Sequence, residues 1–161
     1  MKRQELNNYL NKYNKSLNDA EINNSKIIFL HNDLWSFDSK DHSFVIDLKT
    51  QENLIWSYAY GCYLNNKLPI VYGVSFFQIG RLEQLRKFFG FNNAPILIFN
   101  AGIYGYSKYH WSHEFRQNDD VKIMKSLGFK IIDENTNMNL NDLINEYIMQ
   151  PKNIYIRLSK D

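Results

Sequence analysis

The side chains in this sequence that are best suited to metal chemistry lie in one short stretch, which contains His110, His113 and Glu114. Imidazole nitrogens and carboxylate oxygens are common zinc ligands, but structural zinc sites usually add cysteine pairs, and catalytic ones an HExxH helix. Neither accompanies this stretch. Two histidines in a polar loop more often face solvent or a substrate, so we expect no metal to be bound by this chain alone.

Several common catalytic motifs are missing from the sequence. Neither phosphate-binding pattern, GxGxxG or GxxxxGK[ST], follows an apolar run, and no GxSxG nucleophile elbow is present. The single cysteine, Cys62, lies in an apolar helical stretch. We interpret it as a small buried hydrophobic residue of a protein in a reducing compartment.

One carboxylate, Glu52, stands out by its position between a predicted strand and the apolar helical stretch LIWSYAYGCYL. A glutamate in the first turn of a helix usually interacts only with the helix dipole, an effect worth less than about 1 kcal/mol. The same position, just past the carboxyl end of a strand, is also where ligands bind in parallel sheets. Position alone favours the first interpretation.

The elements that must position these residues alternate along the chain. Apolar runs predict strands at KIIFLHND, HSFVIDL, LPIVYGV, NAPILIFNAG, FKIIDE and NIYIRL. Helices are predicted over residues 51–64, 76–89 and 118–127, with Gly128 as the stop, and over LNDLINEYIMQ. This alternation of apolar strands and helices predicts a single three-layer α/β/α domain over residues 1–161 with a mostly parallel sheet. Residues 1–25 are predicted to form an N-terminal helix and a connection.

Composition and charge exclude other classes of protein. The chain is 44% hydrophobic, which is too apolar for disorder, and its net charge of +2 comes from basic residues scattered among acids. We therefore expect no nucleic-acid partner. No run approaches the roughly 20 apolar residues of a membrane span, and the N-terminus lacks the apolar core of a signal peptide, so we predict a cytoplasmic protein without a membrane partner.

Four segments resemble, in order, the pyrimidine-binding central domain of transketolases and deoxyxylulose-phosphate synthases. FVIDLKTQENLIWSYAYG is similar to that family's F-I-D-x-G-I-A-E-Q-N and the helix after it. The residues that fall on this frame without a gap are Ile46, Asp47, Leu48, Glu52 and Gly61. LPIVYGVSFFQIGRLEQLR, DDVKIMKSLGFKII and PKNIYIRLSKD resemble later family segments, so the resemblance covers residues 26–161.

The resemblance implies that thiamine diphosphate is the cofactor. Glu52 would be the carboxyl group that hydrogen-bonds N1′ of the cofactor's aminopyrimidine ring, a task that a dry site favours. Phe77 would stack on this ring as the family's aromatic residue does, and Val74 lies near the place of a second family aromatic. Both could instead be core residues of the turn from strand to helix.

The resemblance also implies substrate contacts. GIYGYSKYHWSHE occupies the place of the family's S-Y-G-x-x-G-P-T-H-H, whose histidines touch substrate and help proton transfer. His113 is the first choice for such a histidine and His110 the second. Arg81 lies one residue away from a family arginine and would either reach an anionic substrate or be a surface charge.

The family's diphosphate-binding domain has no counterpart here, because the sequence contains no Gly-Asp-Gly motif. The resemblance therefore implies a split enzyme in which a partner subunit holds Mg²⁺ and the diphosphate, as an α2β2 heterotetramer. Its reaction would transfer a two-carbon ketol unit between small sugar-like substrates. The alternatives are a subunit of a split 2-oxo-acid decarboxylase or carboligase, and a non-catalytic scaffold subunit.

Overall fold

A computed structural model of the chain describes residues 6, 8, 26–32, 44–49, 51–74, 79–101, 119–133 and 139–158. The strands are β1 (Ile27–His31), β2 (Val45–Asp47), β3 (Leu68–Val74), β4 (Leu97–Ala101), β5 (Lys130–Ile132) and β6 (Ile154–Arg157). The helices are α1 (Glu52–Leu64), α2 (Leu82–Leu85), α3 (Asp119–Ser126) and α4 (Leu140–Met149), and α2 continues as a π-helical segment (Arg86–Phe91).

The described strands form one sheet of six parallel strands in the order β2-β1-β3-β4-β6-β5. From β1 the chain goes outward to β2, whereas from β3 it goes the opposite way to β4. Connections that leave neighbouring strands in opposite directions open a crevice at the carboxyl ends of those strands. The topology therefore places the ligand-binding crevice of such a fold at the ends of β1 and β3.

Helices cover both faces of the sheet. On one face, α4 and the buried Leu6 pack against residues such as Phe29 and Ile156; on the other, α1, α2 and α3 pack against residues such as Val71 and Ile98. The predicted three-layer α/β/α fold is thus confirmed. None of the helices in the described part of the chain has the length and apolar character needed to cross a membrane.

The helix after β3 differs from the sequence-based expectation of a regular α-helix over residues 76–89. In its described part Ile79 is helical, Gly80 and Arg81 form a turn, and the α-helix over Leu82–Leu85 then widens into the π-helical segment. Two adjacent aromatic residues of this segment contact α1: Phe88 stacks on Tyr60 at 4.7 Å between ring centroids, and Phe89 meets the same ring edge-on at 6.3 Å. Aromatic packing between the helices thus accompanies the change of winding.

The end of α3 agrees with the sequence-based prediction. Gly128 has a φ of +82°, its N–H donates to the Lys125 carbonyl at 3.0 Å, and the N–H of Phe129 donates to the Met124 carbonyl at 3.1 Å. These two bonds are those of a Schellman motif, which requires a left-handed residue at the position of Gly128.

Replacing Gly128 with Ala is expected to lower the free energy of unfolding by about 1 kcal/mol, because a Cβ makes the left-handed conformation unfavourable. Gly61→Ala is the matched control: Gly61 lies within α1 and a Cβ there meets nothing within 4 Å. Helix propensity predicts that this variant is more stable by up to about 1 kcal/mol. Urea unfolding of both variants measures the difference, and a destabilised Gly61→Ala would contradict the open environment of that residue.

Candidate functional site

Glu52 is the first residue of α1, just beyond the end of β2 at the carboxyl edge of the sheet. The neighbouring Gln51 makes no side-chain capping bond, and Asn32, which follows β1, takes that role. The Asn32 side-chain amide is oriented so that both its oxygen and its nitrogen are hydrogen-bonded. The oxygen accepts from the Glu52 N–H at 3.1 Å, and the nitrogen donates to the His31 carbonyl at 3.3 Å. The backbone of Glu52 is therefore fixed to the end of β1, the strand that borders the crevice.

The connection from β2 to α1 is held by Asp47. Its carboxylate accepts from the backbone N–H of Lys49 at 2.8 Å and also pairs with the Lys49 ammonium. The carboxylate also lies near the buried His31, whose Nδ1 is 3.6 Å from an Asp47 oxygen. These contacts join the carboxyl ends of β1 and β2 and fix the path along which the chain reaches Glu52.

Glu52 itself is half-buried. On one side of α1, Ile55, Trp56 and Ala59 are buried in the core, whereas Leu54 and Tyr58 are 45% and 37% exposed. The dry surroundings expected for this carboxyl group are thus only partly supplied by the described residues of this chain.

A second polar cluster lies at the same edge of the sheet, where β4 and β6 end beneath α3. Arg157 and Asp120 are buried and form an ion pair with Nε and Oδ2 3.0 Å apart, and Arg157 Nη1 lies 3.1 Å from Asp133. The hydroxyl of the buried Tyr155 donates to Asp120 at 3.1 Å and accepts from the amide of Asn100.

Electrostatics keeps the Tyr155 hydroxyl protonated. Burial, followed by the nearby negative charge of Asp120, raises the pKa of Tyr155 well above its ordinary value of 10. The hydroxyl therefore remains a hydrogen-bond donor to Asp120 throughout the neutral range.

The structure describes only some of the residues that the resemblance assigned to a site. Glu52 and Val74 both lie at the carboxyl edge, Val74 as the last residue of β3. Arg81 is exposed and immediately precedes α2. Phe77, His110 and His113 lie outside the described residues. The roles predicted for all of them remain predictions, and no group of three potential metal ligands occurs in the described part of the chain.

Neither Asn32 nor the cluster of Asn100, Tyr155, Asp120 and Arg157 was predicted from the sequence. A signal for them was present: Asn32, Asn100 and Arg157 are polar residues at the carboxyl ends of apolar runs. In a parallel sheet such residues meet along a single edge. Which of them touch depends on strand order, and the sequence pattern does not contain that order.

Comparison with known proteins supports the fold. No protein-family model and no curated protein sequence matches the chain. Among solved structures it is similar to a split-gene transketolase, determined as an inactive tetramer of four β subunits. The TM-score is 0.65 and the sequence identity is 20%. The match covers 92% of this chain and 50% of the other, so the chain spans about half the length of that transketolase chain. The chain therefore has a transketolase-like α/β fold, as the resemblance of its sequence predicted.

Proposed function

We propose that the chain is the pyrimidine-binding subunit of a split, thiamine-diphosphate-dependent, transketolase-like enzyme. The observation that carries this proposal is the position of Glu52, a carboxyl group at the carboxyl edge of the sheet whose backbone is fixed to the end of β1. A carboxyl group there can share a proton with a ring nitrogen of a bound pyrimidine. Bound thiamine diphosphate would supply the stabilisation of a carbanion next to a carbonyl group.

The chain's own residues would bind and orient the pyrimidine end of this cofactor. Glu52 would hold a proton at N1′, Phe77 would stack on the ring, and Val74 would contribute an apolar contact. The core side of α1, with Trp56 fully buried, would keep water away from one side of Glu52. These roles fit a flat ring that has an apolar face and a basic nitrogen at its edge.

A partner subunit would hold the diphosphate and Mg²⁺ and complete the site, in an α2β2 assembly. The half-exposure of Glu52 is consistent with a site that a second chain closes. The outer surface of α1 supports the same idea, because no residue from Asn53 to Asn66 is charged and Leu54, Tyr58 and Leu64 are exposed. Uncharged, partly apolar surfaces of this kind are typical of the centre of protein interfaces.

The proposed reaction transfers a two-carbon ketol unit from a ketose to an aldose, with sugar-like or phosphorylated substrates. His113, and after it His110, would contact the substrate and move protons. Arg81, an exposed cation at the start of α2, would bind an anionic substrate group.

The test uses the chain purified with the product of a neighbouring reading frame that encodes Gly-Asp-Gly, supplemented with thiamine diphosphate and Mg²⁺. We expect this complex to convert xylulose 5-phosphate and ribose 5-phosphate into new sugar phosphates, detected by chromatography. A complex that releases carbon dioxide from a 2-oxo acid and does not act on the sugar pair would reject ketol transfer. That result would favour the decarboxylase or carboligase alternative.

One observation favours a second candidate, a non-catalytic scaffold subunit. The similar split-gene transketolase was determined as an inactive tetramer of four β subunits, so a chain of this fold can assemble without activity. This chain also has Thr-Gln-Glu ending at Glu52 where the family it resembles has Ile-Ala-Glu. A stable complex with the partner that processes neither the sugar pair nor a 2-oxo acid would support the scaffold role.

A further inference from the structure

One tyrosine hydroxyl links the strand before residues 102–118 to the helix after them. Asn100 lies in β4, Asp120 is the second residue of α3, and both side chains bond to the hydroxyl of Tyr155 in β6. Asn100 and Asp120 are 0% and 1% exposed and Tyr155 is 1% exposed. The two flanks of the segment are therefore held together by a buried, directional contact.

Arg157 fixes the orientation of the Asp120 carboxylate in this contact. Its Nε lies 3.0 Å from Asp120 Oδ2 and its Nη2 lies 3.5 Å from Oδ1, so the guanidinium faces both carboxylate oxygens. Its Nη1 reaches Asp133, the residue after β5, at 3.1 Å. Through this one side chain, the ends of β5 and β6 and the start of α3 are connected.

Stability alone does not account for this arrangement. Arg157 is 2% exposed and follows Ile156 in an apolar strand, so both charges of the pair lose most of their hydration. Burying an ion pair in this way usually stabilises a fold no better than apolar side chains of the same volume would. What the charged and hydrogen-bonded groups add is a defined geometry, since each bond requires a particular distance and direction.

The amide of Asn100 supplies a further observation. Its nitrogen donates to Tyr155, but among the described residues no donor reaches its buried oxygen. A buried acceptor in a native protein normally has a donor. This oxygen therefore remains available, one residue before the end of β4, to a group outside the described residues.

We propose that Asn100, Tyr155, Asp120 and Arg157 form a positioning network that holds the two flanks of residues 102–118 at the carboxyl edge of the sheet and thereby sets the affinity for substrate. The second half of this statement rests on the proposed function, which assigns the substrate contacts to His113 and His110 in that segment. The network acts through these histidines and does not itself touch the substrate.

Tyr155→Phe is the variant that tests the network, because it removes the linking hydroxyl and leaves the ring and the Arg157–Asp120 pair in place. Tyr147→Phe is the matched control. Tyr147 is also fully buried, but it lies in α4 on the other face of the sheet, where its hydroxyl donates to the Pro69 carbonyl at 3.0 Å. Tyr155→Phe loses both bonds of the linking hydroxyl, to Asp120 and from Asn100, whereas Tyr147→Phe loses one buried bond that lies outside the network.

The first measurement is hydrogen–deuterium exchange of the full chain, which needs no activity. We expect Tyr155→Phe to speed exchange in peptides from residues 97–126 by about five- to tenfold or more, because losing even one of its two hydrogen bonds changes local opening by about that factor. Tyr147→Phe should leave these peptides unchanged. Equal acceleration in both variants, or none in Tyr155→Phe, would overturn the network.

The second measurement uses the reconstituted complex with xylulose 5-phosphate and ribose 5-phosphate. We expect Tyr155→Phe to raise the KM for the sugars about five- to tenfold, with kcat and the Kd for thiamine diphosphate changed less than twofold. Tyr147→Phe should change none of these. Altered exchange with an unchanged KM would overturn the link to substrate affinity. If the wild-type complex does not act on sugars, the proposed function fails and the exchange result still decides whether the network holds the flanks.

Discussion

The variant Glu52→Gln is expected to reduce kcat of the reconstituted complex by about 10²–10⁴-fold, the range contributed by a positioned general acid or base. Glutamine keeps the size of the side chain and still forms hydrogen bonds, but it cannot exchange a proton with N1′. The backbone contact between Glu52 and Asn32 involves only the N–H of residue 52, so the start of α1 should not change. Size-exclusion chromatography should show an intact complex, and steady-state assays measure the loss.

Glu83→Gln is the matched control for this variant. Glu83 lies in the first turn of α2, as Glu52 does in α1, but it is exposed and pairs with Arg86 at 2.9 Å. The hydrogen bond from Arg86 holds the pKa of Glu83 below its ordinary value, which indicates a surface ion pair. We expect this variant to retain full activity. Wild-type turnover by Glu52→Gln, or the same loss in both variants, would show that Glu52 is not the cofactor-activating carboxyl group.

The variant Arg157→Met is expected to lower the free energy of unfolding by about 3–5 kcal/mol, because it leaves the Asp120 carboxylate buried without its cation. Asp120 is 1% exposed, and its remaining described bond comes from the neutral hydroxyl of Tyr155. For a domain of total stability about 5–15 kcal/mol, this is a large fraction. Urea denaturation followed by tryptophan fluorescence measures the change.

Two further variants separate the loss of the ion pair from the loss of the arginine side chain. Combining Arg157→Met with Asp120→Asn removes the uncompensated charge but keeps an acceptor for Tyr155, so we expect most of the stability to return. Arg86→Met removes by the same substitution the exposed pair with Glu83 and the contact of the guanidinium with the Phe91 ring, and should cost no more than about 1 kcal/mol. A double variant as unstable as Arg157→Met would show that packing of the arginine, and not its charge, supports the fold.

Much of the fold follows from the sequence because its signals are local. Each apolar run predicted as a strand contains one of the six described strands. The helix α1 begins at Glu52, one residue after the predicted start at residue 51, and Gly128 ends α3 as its residue type predicted. Periodicity and turn chemistry act over a few residues, and the buried, apolar character of the strands indicates helices on both faces. The resemblance to the transketolase family adds the roles predicted for Glu52, Phe77 and His113.

Tertiary structure alone determined which distant residues meet. Asn32 holds the backbone of Glu52 because β1 and β2 are neighbours. The Tyr155 hydroxyl bonds to both Asn100 and Asp120 because β6 lies between β4 and β5. Hydrogen bonds and buried ion pairs depend on distances of a few tenths of an ångström, and hydrophobic patterning specifies only which face of an element is buried. The sequence by itself therefore determined the strands, the helices and a candidate carboxylate. Strand order then decided which side chains hold the backbone of that residue and the edge around it.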